Sequence, residues 1–114
     1  MQVEIRIVTT DEEFGFHLLE GKRFPEYRPV IVPGEAVIAK QSMTAGDKSV
    51  GWADIIDLGV DIHENTSIEE FAVWLYEKLK NRKDKIQSLV IARAEAPIDK
   101  SEILRAIKDG LDSL

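Results

Sequence analysis

Hydrophobic and polar positions alternate from the first residues of the chain. Val3, Ile5 and Ile7 fall on one side and Glu4 and Arg6 on the other, which predicts a half-buried strand over Val3–Thr9. The polar stretch Thr9-Thr10-Asp11-Glu12-Glu13 reads as a turn. Phe14, Phe16 and Leu18 then alternate with Gly15 and His17, and the period predicts a second strand. Glu20-Gly21-Lys22 suits a turn. Pro25, Pro29 and Pro33 punctuate the next segment. Proline cannot donate to a ladder, so Val30-Ile31-Val32 is expected at a sheet edge. Pro33-Gly34 fits the centre of a type II turn, where glycine supplies the positive φ. Ala36–Met43 and Val50–Leu58 read as two strands of a hairpin.

The period changes in the second half. Ile68, Phe71, Ala72, Leu75, Tyr76 and Leu79 form one face of a helix over Ser67–Arg82. Ser67 with Glu70, or Thr66 with Glu69, has the spacing of a capping box. Ser88–Ala94 holds Leu89-Val90-Ile91-Ala92, apolar on both faces, as in a strand inside a sheet. Beyond Pro97, Asp99 and Glu102 have the capping-box spacing for a last helix, with Ile98 and Ile103 at the staple positions. Ile103, Leu104, Ile107, Leu111 and Leu114 line its inner face. The order predicts one α+β domain over residues 1–114. It has two layers: a mixed, largely antiparallel sheet of five or six strands, and the two C-terminal helices on one face.

Composition narrows the chemistry. The 114 residues carry 15 basic and 21 acidic side chains, a formal charge of −6, and no cysteine. Disulfides, thiolate metal sites and cysteine nucleophiles are therefore excluded. Acidic balance argues against nucleic acid, whose phosphates need clustered Lys and Arg. No apolar run approaches the roughly 20 residues of a membrane span, and the N-terminus lacks the pattern of a signal peptide. A cytoplasmic protein with no membrane in the given chain is expected. Neither a phosphate loop, G-x-x-x-x-G-K-[ST], nor a G-x-S-x-G elbow occurs, and no serine has an assignable His and Asp.

Six residues or groups of residues remain to be weighed. Trp74 and Val73 lie off the apolar stripe of their helix, where a monomer needs no large apolar side chain, and exposed aromatics often anchor interfaces. Alternatively, Phe24–Tyr27 folds over Trp74. Val30 and Val32 mark an edge open to sheet addition. Asp57, Asp61 and His63 share one strand face if the strand runs on. Carboxylates with an imidazole suit a divalent metal. Their other reading is a solvated loop whose acids complement a helix N-terminus. His17, opposite the phenylalanines, is expected exposed or satisfied by backbone, and Trp52 is expected in the core. The basic run Lys78, Lys80, Arg82, Lys83 and Lys85 falls at a helix C-terminus, where cations offset the dipole.

From Ser67 onward, the order of amphipathic helix, strand Leu89–Arg93 and second amphipathic helix loosely resembles the soluble domain of ExbD/TolR-type energy-coupling proteins. The resemblance covers less than half of the chain and assigns a role to no residue. The expectation is a non-catalytic interaction or accessory module, without cofactor, that binds a protein partner or a second copy of itself. Its alternative is a metal-binding or metal-assisted hydrolytic domain using Asp57, Asp61 and His63.

Overall fold

A computed structural model describes residues 1–18, 29–47 and 51–113. Within them β1 (Gln2–Thr9), β2 (Val30–Val32), β3 (Ala36–Thr44), β4 (Asp54–Asp61), β5 (Ile86–Ile91) and β6 (Ala94–Glu95) form one sheet. Its order is β2-β3-β4-β1-β5-β6. Every neighbouring pair is antiparallel. The helices are α1 (Phe14–Leu18), α2 (Ile68–Lys80) and α3 (Lys100–Asp112). The fold is thus the expected α+β class. Among the described residues, no helix is long and apolar enough to cross a membrane.

Chain order and sheet order differ in a way that follows from pairing. β4 and β5 each run antiparallel to β1, so they run parallel to one another with β1 between them. Parallel strands need a long crossover, and α2 supplies it. The alternation of β1 puts Val3, Ile5 and Ile7 on the helix side, where they meet Val60, Leu58 and Ile56 of β4 in register. Phe71, Ala72, Leu75 and Leu79 of α2 and Ile103 and Ile107 of α3 close the same buried cluster.

Phe14–Leu18 is a helix where period-two alternation predicted a strand. Five residues are too few for the two periods to be told apart. Asp11 decides the outcome: it is buried, and its carboxylate accepts the Glu13 N–H at 3.0 Å. Its backbone carbonyl accepts from Phe14 N at 3.2 Å, which starts the turn. Phe14 and Leu18 then both reach the core. The positions of Glu20-Gly21-Lys22, Pro25 and Phe24–Tyr27 lie outside the described residues.

Both long helices start as their sequences require. Ser67 Oγ accepts from Glu70 N at 3.2 Å, and Asp99 Oδ1 from Glu102 N at 3.1 Å. The Ser67 N–H does not turn to Glu70. It donates to the carbonyl of Gly34, at 2.8 Å. The β2–β3 turn is therefore docked on the first turn of α2. Gly34 has φ +85°, and a Cβ there would collide with the Ser67 carbonyl and lie 2.9 Å from Phe71 N. Glycine is needed at this point for conformation and for closeness alike.

The β5–β6 turn carries strain. Ala92 and Arg93 have φ of 51° and 69°, the signs of a type I′ hairpin turn, without the Asn-Gly or glycine it favours. Ala92 Cβ fits against α3 because residue 110 is glycine, whose own Cβ would run into it.

Two stability changes follow. Gly34→Ala is expected to cost about 2–4 kcal/mol from left-handed backbone plus overpacking. Arg93→Gly is expected to add up to about 1 kcal/mol by relieving the turn. Urea denaturation midpoints check both, and a Gly34→Ala protein of wild-type stability would refute the docking role.

Candidate interaction site

The sheet face away from the helices is polar and built in cross-strand rows. Arg6 stands opposite Asp57, and Gln2 opposite Asp61. The Arg6 guanidinium grips Asp57 with Nε at 2.7 Å and a second nitrogen at 3.2 Å. That hydrogen bond, and the Asp57 charge, raise the Arg6 pKa above its ordinary value. Gln2 Nε2 donates to Asp61 at 3.1 Å. Between the two rows lies Gly59, opposite Glu4 on one side and Lys40 on the other. A bulge between Ile38 and Lys40 brings Lys40 to this face. Gln2 and Lys40 close over Gly59, where a Cβ would lie 2.9 Å from Gln2 Oε1, and a groove of about 420 Å³ over this part of the sheet is lined by Glu4, Arg6, Lys40 and Asp57.

Asp57 and Asp61 do share a strand face, and the strand continues past Leu58 to Asp61. Spacing is what separates them. Four residues along a strand are about 13 Å at roughly 3.3 Å each, while metal–ligand bonds are near 2 Å. His63 lies beyond the strand, in the turn before α2, where its Nδ1 accepts from Asn65 N at 3.3 Å. Among the described residues, no three His, Asp or Glu side chains gather as a metal would need.

The candidates on α2 divide. Trp74 is half-buried and stacks on Phe71, ring centroids 5.8 Å apart and 30° between planes. Val73, on the other flank, is 41% exposed. β2 is an edge strand as its prolines suggested, with β3 as its one neighbour. Val30 and Val32 are each only 6% exposed, their side chains in the core, whereas Ile31 between them is 74% exposed. A strand added there would meet the backbone of β2 and the side chain of Ile31.

Trp52 overturns its expectation of burial. It precedes β4 and is 67% exposed. The described residues at the two ends of the β3–β4 connection that carries it contact one another. Gly46 N donates to the Asp54 carboxylate at 2.9 Å, and Trp52 N to the Asp47 carbonyl at 3.0 Å. Asp54 is itself buried. A Cβ on Gly46 would collide with the carbonyl oxygens of Trp52 and Ala53, so the two arms of the connection touch. Gly51, at φ +78°, turns the chain just before the indole. The glycines at 46 and 51 were the available signal. They mark a turn longer than the one that begins a strand at Val50.

Comparison of the chain with models of protein families, with curated proteins and with solved structures gives no match. The site is therefore defined by its own geometry.

Arg6 and Gln2 already hold the two carboxylates, and distance keeps these apart. Saturating Mg²⁺, Mn²⁺ or Zn²⁺ is thus expected to leave the thermal midpoint where it is, since stabilisation by a ligand requires binding to the folded state. A metal-induced rise that Asp61→Asn abolishes would contradict this.

Proposed function

We propose that the protein is a small non-catalytic module that acts by binding another protein, with the Trp52 loop as its contact. The observation that carries this reading is the exposed indole on a connection whose ends contact one another. Tryptophan is the side chain most enriched among residues that dominate binding energy. Contacts between the ends of its loop, made before binding, lower the ordering cost of association. Ile31 and Val73 add two further exposed apolar side chains. The partner is a different protein or a second copy of this chain. A cytoplasmic setting is part of the proposal and rests on the sequence alone.

Photo-crosslinking checks it. With a photoreactive residue at position 52, irradiation in cells is expected to give discrete adducts, either with a second copy or with another protein. Untagged wild-type chain should compete these adducts away. The Trp52→Ala chain should compete at least tenfold less well, about 1.4 kcal/mol of binding. Equal competition by Trp52→Ala, or adducts no different from those of the same probe at Arg93, would defeat the proposal.

A further inference from the structure

α1 is held on the C-terminal end of α2 by a small polar cluster. The Asp11 carboxylate, at the start of the α1 turn, is paired with the Arg82 guanidinium just past α2. Lys78 Nζ, one turn earlier, donates to the carbonyl of His17 at 3.4 Å. Between these contacts sits the His17 ring, tilted against Phe14 with centroids 6.2 Å apart. Among the described residues, its Nε2 is buried and has no hydrogen-bond partner. The expectation from sequence was an exposed imidazole, or one satisfied by backbone. In the helical conformation of residues 14–18 the side chain is half-buried, and the backbone of Lys78 is a hydrogen-bond partner of the imidazole, while His17 N donates to the Glu13 carbonyl at 2.9 Å.

We propose that α1 is an acid-sensitive latch, released from α2 when the His17 imidazole takes up a proton. A neutral imidazole tolerates this setting. An imidazolium would place a partly desolvated charge, whose Nε2–H has no acceptor among the described residues, beside two existing cations. Burial acts first to lower the His17 pKa below its ordinary 6.5, and the charges of Arg82 and Lys78 act with it. The Asp11 carboxylate and the backbone of Lys78 pull the other way and are outweighed. The folded chain thus binds this proton less readily than the open one. Latch stability is whole above pH 6.5 and falls as pH drops below it.

A second titration lies well apart. Burial pushes the Asp11 carboxyl up, but hydrogen bonds from Arg82 and from Glu13 N–H, with the charges of Arg82 and Lys85, bring it below its ordinary 3.8. The Asp11–Arg82 pair therefore keeps its charge while His17 titrates, and the latch loosens in mild acid with that pair intact. Release withdraws Phe14 and Leu18, both fully buried, from the core.

The test uses the whole chain in a His63→Gln background, which leaves His17 as the one imidazole, since the sequence has 2 histidines. The His17 ring is titrated by NMR between about pH 5 and 8. Amide exchange of residues 11–18 is followed over the same range and corrected for the intrinsic rate. The expected result is a midpoint below 6.5. The opening equilibrium of this segment should grow by up to about tenfold per pH unit of further acidification. In His17→Gln that slope should vanish, and in Lys78→Gln the His17 midpoint should rise. A midpoint at or above 6.5, a flat opening equilibrium, or the same slope in His17→Gln would overturn the proposal. If His17→Gln fails to fold, the ring titration and the exchange slope of the background chain still decide it.

Discussion

Everything in this molecule leans on the two edges of β1. The first strand of the chain lies between β4 and β5, so both of its rows of backbone groups are filled by segments from far along the sequence. Burial of unpaired N–H and C=O groups is costly, so β1 is committed to the interior only when both partners are in place. Its side chains show the same commitment, with Ile5 and Ile7 almost without solvent contact. Pairing of this kind is non-local, and loop closure comes before its reward. The half of the chain that builds the hairpin and the half that builds the helices are thereby joined in one core.

From β1 the rest of the architecture is constrained. Antiparallel pairing on both sides makes β4 and β5 parallel, and a parallel pair requires a crossover of helix length. That crossover places α2 on one face, and α3 packs beside it over β5 and β1. The opposite face is left to cross-strand polar pairs, of which Arg6–Asp57 is the tightest. The connection at the far end of the β3–β4 hairpin lies outside this packed body. Its described residues hydrogen-bond to one another, Gly46 with Asp54 and Trp52 with Asp47. The Trp52 side chain on this connection stands in solvent, 67% exposed. α1 is the opposite case. It is short, capped by one buried aspartate, and joined to the end of α2 by the Asp11–Arg82 pair and the Lys78–His17 hydrogen bond.

Legibility from sequence followed the length of each pattern. α2 offers six apolar positions on one stripe and α3 four, and both offer a side-chain cap, so the limits of α2 and the start of α3 were readable to within a residue or two. β1 alternates over its whole length and was equally plain. Residues 14–18 failed because three alternating apolar side chains also fit one turn and a half of helix. Trp52 failed because apolar neighbours were taken for a strand, while the close approach at Gly46 that folds the loop back is a contact between residues six apart in sequence. The Asp57, Asp61 and His63 cluster shows a different error. The shared face was correct, but a strand spreads same-face residues apart where a helix gathers them.

The sequence by itself determined the elements with long periods, the caps at Ser67 and Asp99, the edge position of the proline-flanked β2 and the exclusion of thiol chemistry. These follow from local propensity and from which atoms are present. Only the tertiary structure decided which way His17 turns, which residues accept from Gln2 and Arg6, how the β2–β3 turn meets α2, and that one tryptophan stacks on the core while the other stands in solvent. Each of those outcomes depends on segments distant in the chain arriving at the same place, and no local pattern encodes that arrival.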